Sequence, residues 1–311
     1  MISAFEKTKN LIYLNTLLKL NDTLISVRAS LEFTSQYPKS KFNEFLSFSI
    51  QKECEYVGDI LQDKFGTINP TLKYNSKNSC SPQFSKPNEV LKIIDFAVLY
   101  GISSRSLLYI QAMLSQNLVP TKVLVFITPR TKQDLVGEHL NFLSKYSINV
   151  EMIYCDSVND ELCFKAISAL REKYVLHSVG GILQAKYFKL PKKFVHIHAG
   201  SLPAFRGSTT CYYELLCLNR IGASCMFLSE GLDDGDVIAE TLVEKDILKS
   251  FNTLDIDTFI EPYIRAKTLL KALNVILEDK IEPRKQDNSL QNTFYKIHPV
   301  LKHIAILWCF E

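Results

Sequence analysis

The sequence predicts an α/β fold with a Rossmann-like parallel sheet, and three observations support this prediction. Short apolar runs recur between residues 92 and 180, and their lengths suit buried strands. Segments with apolar residues at helical spacing separate these runs. Strands that alternate with helices form βαβ units, whose strands are parallel. Ligands are therefore expected at the carboxyl ends of these strands.

Each element is expected in chain order. The apolar run 93–100 ends at Gly101 and predicts the first strand, and Ser103 or Ser104 can cap the following helix. The next predicted elements are a strand at 123–127, a helix at 135–146, a strand at 150–153, a helix at 159–173 and a strand at 175–178. An amphipathic helix is expected at 259–278, after the central region.

Composition shifts divide the chain into four segments. Helical periodicity with few Gly or Pro residues predicts a small helical domain at 1–66. A cluster of Pro, Ser and Asn predicts a linker at 67–91. The α/β domain is expected at 92–250, and a short, mainly helical C-terminal extension at 251–311. The helical first segment is a candidate dimerisation surface, so a homodimer is one expectation.

The bulk composition is that of a globular protein. The chain has 311 residues, of which 47% are hydrophobic and 22% charged, and its net charge is +3. Because no concentrated basic run is present, nucleic acid is not an expected partner. No stretch approaches the roughly 20 apolar residues that cross a bilayer, and no signal peptide is recognisable. The eight cysteines include no C-x-x-C pair, which favours reduced thiols and a cytoplasmic location.

Three neighbouring motifs carry the candidate chemistry. His196 and His198 are two residues apart on a predicted strand, so their side chains share a face. The loop 202–207 follows with the pattern L-P-x-x-R-G, and the turn 230–237 has the pattern E-G-L-D-x-G-D-V. The first βα turn, 101–106, contains a single glycine, so it supports neither a dinucleotide fingerprint nor a phosphate-binding P-loop.

The order and spacing of these motifs resemble those of the folate-dependent formyltransferases. That family's hallmark is N-x-H-x-S-L-L-P-x-x-R-G followed by D-E-G-L-D-x-G-D, and the turn 180–183 also resembles the family's glycine-containing turn. The resemblance covers residues 92–250. It implies an enzyme that moves a formyl group from 10-formyltetrahydrofolate to an amine, with His198, Asp233 and His196 as catalytic residues.

The resemblance also implies two sets of binding residues. The folate donor is expected against Gly180, Gly181, Ile182, Leu183, Leu202, Pro203 and Asp236. The acceptor is expected against Arg206, Gly207, Ser208 and Tyr212. No metal site is expected. The acceptor is expected to be a small molecule, such as an amino-sugar nucleotide or an amino acid derivative, because the segment after residue 250 lacks the series of short strands of a tRNA-binding β-barrel.

The sequence departs from the family at His196, where the family has Asn. A histidine can also donate a hydrogen bond to the formyl oxygen, but it is bulkier and its charge depends on pH. Two alternatives follow. One is a metal-dependent hydrolase that uses His196, His198 and Asp233 as a 2-His-1-carboxylate set. The other is a catalytically impaired, formyltransferase-like binding protein.

Overall fold

The structure is a computed structural model that describes residues 84–87, 90–249, 251, 255–287, 293–298, 301–302, 305–306 and 309. The predicted helical domain at 1–66 and most of the predicted linker at 67–91 lie outside the described residues. The three boundaries between the four predicted segments therefore remain predictions.

Seven strands form the main sheet, and helices follow most of them. The sheet strands are β1 (Lys92–Gly101), β2 (Leu118–Ile127), β3 (Val150–Tyr154), β4 (Tyr174–Ser178), β5 (Lys193–His198), β7 (Arg220–Phe227) and β8 (Val237–Glu244). The helices are α1 (Ser104–Ser115), α2 (Gln133–Lys145), α3 (Glu161–Ala169), α4 (Ala185–Phe188), α5 (Thr210–Leu218), α6 (Lys245–Lys249) and α7 (Glu261–Leu277). A π-helical segment, Ile256–Ile260, leads into α7, and the two-residue strands β6 (Arg206–Gly207) and β9 (Thr293–Phe294) pair with each other.

The predicted α/β fold is confirmed. The strand order is β3-β2-β1-β4-β5-β7-β8, and the first five strands of the chain are parallel. β7 runs antiparallel to both of its neighbours, β5 and β8. The order reverses at β1, which lies between β2 and β4, so the carboxyl ends of these strands border a crevice.

β2 begins five residues before the predicted strand and contains a proline. Pro120 pairs with Ile94 of β1, whereas pairing with β3 begins only at Val123. Pro120 therefore lies where β2 has a neighbour on one side, and the missing N–H of proline breaks no ladder on the other side.

The helices lie close to their predicted positions. The Ser103 hydroxyl caps α1 by accepting a hydrogen bond from the N–H of Ser106 at 3.3 Å. α3 ends at Ala169, four residues before the predicted end, because Leu170 has the extended backbone angles φ −58° and ψ 141°. A hydrophobic core between the sheet and helices α3 and α4 includes Phe194, Tyr187 and Ile167, and it fixes the position of β5.

Candidate active site

His198 ends β5 and is almost completely buried, with 3% of its surface exposed. Its Nε2 atom lies 2.6 Å from the carbonyl oxygen of Phe205 and 3.3 Å from the hydroxyl oxygen of Thr210. A carbonyl oxygen can only accept, so Nε2 carries the hydrogen. Thr210 in turn donates to the carbonyl oxygen of Ala199, which links the end of β5 to the first turn of α5.

Asp233 faces the other ring nitrogen of His198. Its Oδ1 atom lies 3.5 Å from His198 Nδ1, and its Oδ2 atom accepts a hydrogen bond from the N–H of Gly207 at 2.9 Å. Asp233 has a left-handed backbone, with φ +51°, a conformation that Asp adopts more readily than most residues. One carboxylate thus connects the strand end, the L-P-x-x-R-G loop and the acidic turn.

The His198–Asp233 couple is a site that can bind a proton. With Nε2 protonated, a neutral imidazole presents a lone pair at Nδ1 to the carboxylate, and neither group can donate to the other. A proton taken up between Nδ1 and Oδ1 converts this contact into a charge-assisted hydrogen bond. Burial lowers the pKa of His198, and the nearby Asp233 carboxylate opposes that shift.

His196 lies on the same face of β5 and is only partly buried. Its Nδ1 atom is 3.2 Å from the carbonyl oxygen of His177, and the two imidazole rings meet edge to face at 5.5 Å. Burial, followed by the proximity of His177, lowers the pKa of His196 well below its ordinary value. Burial also lowers the pKa of His177 to about 3.

Arg206 is buried, with 3% of its surface exposed, although a solvated or acceptor-binding loop cation was expected. Its guanidinium donates to Oε1 of Gln286 from Nη2 at 2.7 Å and from Nε at 3.2 Å. The Gln286 amide donates to the carbonyl oxygens of Asp233 at 3.0 Å and Gly235 at 2.6 Å. Arg206 therefore supports the acidic turn through Gln286, a residue that the motif reading did not include.

A cleft of about 290 Å³ opens beside His198, and we call it the His198 cleft. It is lined by His198, Ala199, Gly207, Ser208, Thr209, Thr210, Cys211, Tyr212, Asp257, Glu261 and Arg265. Three of the four residues expected to bind the acceptor, Gly207, Ser208 and Tyr212, thus lie on it. Arg206 does not.

The charged groups of the His198 cleft come from the π-helical segment and α7. The buried hydroxyl of Tyr212 donates to Oδ1 of Asp257 at 2.6 Å. Glu261 pairs with Arg265, whose Nε lies 2.7 Å from Glu261 Oε1. The sequence analysis missed Glu261 and Arg265 because they lie in a helix that periodicity explains as a packing element, and it missed Asp257 because that residue precedes the predicted helix.

The residues of the glycine turn after β4, which are expected to bind the donor, lie in different environments. Gly180 and Gly181 line a cleft of about 640 Å³ at the carboxyl ends of β1, β2 and β4. The side chain of Ile182 is 72% exposed, whereas Leu183 is buried in the hydrophobic core beneath the turn. The Leu183 side chain is therefore a packing residue in this structure.

The remaining expected donor-binding residues also differ in exposure. Leu202 is 3% exposed and packs against Met226 and Val237, so its side chain belongs to the core. Pro203, which follows a cis peptide bond, and Asp236 are both partly exposed. The Asp236 carbonyl oxygen accepts from the N–H of Phe227 at 3.0 Å, which ties the acidic turn to the end of β7.

Glu214 is a buried carboxylate that sequence reasoning missed. It accepts hydrogen bonds from the N–H and hydroxyl of Ser201, at 3.0 and 2.6 Å, and from the N–H of Gly222 at 3.1 Å. Arg220 donates to it at 3.0 Å. Burial raises the pKa of Glu214, and these hydrogen bonds oppose the shift. Ser201 is thus anchored to α5.

The metal-dependent hydrolase alternative gains no support from the geometry. Across the described ranges, no group of three His, Cys, Asp or Glu side chains is arranged to hold a metal ion. His196 Nδ1 is directed at the His177 carbonyl, and His198 Nε2 at the Phe205 carbonyl.

Of the helices in the part of the chain that is described, none has both the length and the apolarity to cross a membrane.

The chain is similar in sequence to curated formyltransferases. It is 26% identical to a methionyl-tRNA formyltransferase of Campylobacter lari over 182 residues, which are 58% of this chain and 56% of that protein. It is 31% identical to a methionyl-tRNA formyltransferase of Bacillus velezensis over 127 residues, 40% of this chain and 39% of the relative. The chain thus spans about half the length of the curated relatives it matches, and the resemblance to the formyltransferases is confirmed. No protein-family model matches the chain.

Solved structures with a similar arrangement include two transferases. A sugar N-formyltransferase from a Shewanella species has a TM-score of 0.48 and 13% identity, over 69% of this chain and 87% of that chain. A glycinamide ribonucleotide transformylase from Symbiobacterium toebii has a TM-score of 0.45 and 16% identity, over 67% of this chain and all of that chain.

Proposed function

From the similarity to formyltransferases, we propose that the chain is an N-formyltransferase that moves a formyl group from 10-formyltetrahydrofolate to the amine of a small acceptor. The observation that carries this proposal is the couple of His198 Nδ1 and Asp233 Oδ1, 3.5 Å apart at the carboxyl end of β5. Both residues occupy their positions in the family motif. The curated relatives support the same reaction class.

The reaction needs groups that compensate for charge. When the amine nitrogen bonds to the formyl carbon, negative charge develops on the formyl oxygen and positive charge on the nitrogen. A protonated His198, stabilised by Asp233, would offset the negative charge. The Gly207 N–H and the Thr210 hydroxyl hold the two partners of the couple in place. Preorganised groups of this kind lower the barrier because they need no rearrangement during the reaction.

The folate donor fits the larger cleft at the strand ends. Gly180 contributes no side chain to that cleft, and an added Cβ would meet no atom within 4 Å, so a flat ring system can approach the backbone there. Arg130 and Lys132 line the same cleft and suit the carboxylates of a folate glutamate. When bound, the donor supplies the activated formyl group, and the residues of this chain orient it.

The charge of the His198 cleft favours a small amine as the acceptor. Two carboxylates, Asp257 and Glu261, line the cleft, and the one cationic side chain among its lining residues, Arg265, is paired with Glu261. Such a surface attracts an ammonium group and repels phosphates. Of these two classes of small amine, amino acid derivatives therefore fit this cleft better than amino-sugar nucleotides.

Formyl transfer to a panel of amines tests the proposal. The full-length protein is incubated with 10-formyltetrahydrofolate and amino acid amides, amino-sugar nucleotides or methionyl-tRNA, and products are identified by mass spectrometry. We expect a small amine to gain the mass of one formyl group. This product should be absent with His198→Ala and present with Asp246→Asn, a substitution at an exposed position. Formylation of methionyl-tRNA alone would refute the small acceptor, and no formylation of any amine would refute the function.

A further inference from the structure

The His196 side chain has one ring nitrogen committed and one open. Nδ1 donates to the His177 carbonyl oxygen at 3.2 Å, since that oxygen can only accept. In the part of the chain that the structure describes, both ring nitrogens of His177 are buried without a partner, but neither nitrogen of His196 is among such atoms. No described hydrogen bond uses His196 Nε2, and the residue as a whole is partly exposed.

The open nitrogen distinguishes His196 from its neighbours. Both ring nitrogens of His198 are directed at protein groups, Nε2 at Phe205 and Nδ1 at Asp233. His177 is buried, with 5% of its surface exposed. Of the three imidazoles on these two adjacent strands, His196 is thus the one that combines partial exposure with a ring nitrogen that makes no described hydrogen bond.

The charged surroundings keep His196 neutral. The groups that act on it are His177 on β4, Arg105 on α1, Arg265 on α7 and His198 on its own strand. All four are basic, and each lowers the pKa of His196 in addition to the larger effect of burial. A neutral imidazole with hydrogen on Nδ1 has a lone pair on Nε2. It accepts hydrogen bonds and protons there, and it cannot donate a hydrogen bond to a formyl oxygen.

We propose that His196 is the proton acceptor of the transfer reaction, and that its Nε2 atom takes the proton that the amine loses. This inference rests on the proposed function. The amine nitrogen forms a bond to the formyl carbon, and its proton passes to His196 Nε2. The bond between the formyl carbon and N10 of the folate breaks, its electron pair stays on N10, and the His196 imidazolium returns the proton to N10. The products are a formamide and tetrahydrofolate, so atoms and charges balance.

This role differs from the one expected from the family motif. An Asn at this position donates a hydrogen bond to the formyl oxygen, whereas the structure orients His196 to accept a proton. The departure at residue 196 is therefore a change of chemical role within the same site. The His177 backbone carbonyl sets the tautomer and so acts as a positioning group.

Tautomer and kinetics together test the proposal. NMR of the full chain labelled with ¹⁵N-histidine, with the His196 signals assigned by their loss in His196→Asn, is expected to show hydrogen on Nδ1 and none on Nε2 at neutral pH. In His196→Asn, we expect kcat to fall by about 10²-fold or more, the loss typical for a general base. Added imidazole should restore part of the rate, which it would not do for a structural defect.

The pH profile supplies a second readout. For the wild type at saturating amine, the acidic limb of kcat should lie below the ordinary histidine pKa of 6.5, because protonation of His196 removes the acceptor. Asp246→Asn, an exposed change on α6, should leave that limb unchanged. This inference alone would be overturned if the wild type transfers the formyl group while the NMR spectra show hydrogen on His196 Nε2. It would also be overturned if His196→Asn is as active as the wild type. No transfer by the wild type would overturn it together with the proposed function.

Discussion

Arg206 and Gln286, eighty residues apart in the chain, share two hydrogen bonds, from Nη2 at 2.7 Å and from Nε at 3.2 Å to the amide oxygen. The same amide donates to the carbonyl oxygens of Asp233 and Gly235. The arginine of the L-P-x-x-R-G loop is thereby linked to the turn that carries Asp233. The Arg206 side chain is thus committed to the acidic turn and does not line the His198 cleft.

Gln286→Ala should destabilise the protein and weaken the site. The substitution removes two hydrogen bonds from a buried guanidinium and two from the acidic turn, and hydrogen bonds to charged groups contribute about 1.5–3 kcal/mol each. We expect the free energy of unfolding to fall by about 2–3 kcal/mol. Urea unfolding measures it. The control is Gln133→Ala at an exposed position, which should change the free energy of unfolding by less than about 0.5 kcal/mol. Equal effects of the two substitutions would contradict a stabilising contact between Arg206 and Gln286.

Gly207→Ala should separate β6 from β9. Gly207 has φ +105°, and an added Cβ would lie 2.1 Å from the carbonyl oxygen of Phe294. The strain and the clash should cost about 2 kcal/mol or more. Gly137→Ala, in helix α2 with no atom within 4 Å of the added Cβ, should instead stabilise by about 0.5–1 kcal/mol. Thermal unfolding of both variants checks the opposite signs.

The stability of the protein should fall with decreasing pH partly because of His177. The pKa of this histidine is about 3 in the folded state, against an ordinary 6.5. Between these values the unfolded chain binds a proton that the folded chain does not, so unfolding is favoured as the pH falls. Between about pH 7.5 and about pH 5, the free energy of unfolding of His177→Leu should therefore fall by about 2 kcal/mol less than that of the wild type. Urea titrations at the two pH values measure this difference. If the free energy of unfolding falls equally in the wild type and in His177→Leu, His177 is protonated in the folded state.

The sequence was informative where local pattern and structure agree. The apolar runs predicted β1, β2 and β4 because strands buried on both faces are apolar along their length, whereas the edge strand β3 is largely exposed. The i, i+2 spacing placed His196 and His198 on one face of β5, and the E-G-L-D-x-G-D-V pattern placed Asp233 in an acidic turn. These features depend on residues close in the chain, so a single sequence contains them.

Long-range features were not predictable in the same way. β7 contains Gly222 and Ser224, which weaken the apolar signal, and its antiparallel direction is set by pairing with β5 and β8. The contact between Arg206 and Gln286 joins segments that share no local motif. The tautomer of His196 depends on the His177 carbonyl of a neighbouring strand, and no sequence pattern reports that distance.

The rate of tetrahydrofolate formation by Asp233→Asn, with a formyl-accepting amine, tests the central claim most directly. An asparagine can still accept from the Gly207 N–H, so the turn should be retained, but the negative charge beside His198 Nδ1 is removed. We expect kcat to fall by about 10²-fold or more, while Asp246→Asn stays within twofold of the wild type. A kcat for Asp233→Asn equal to that of the wild type would contradict the account, because the couple would then carry no part of the reaction.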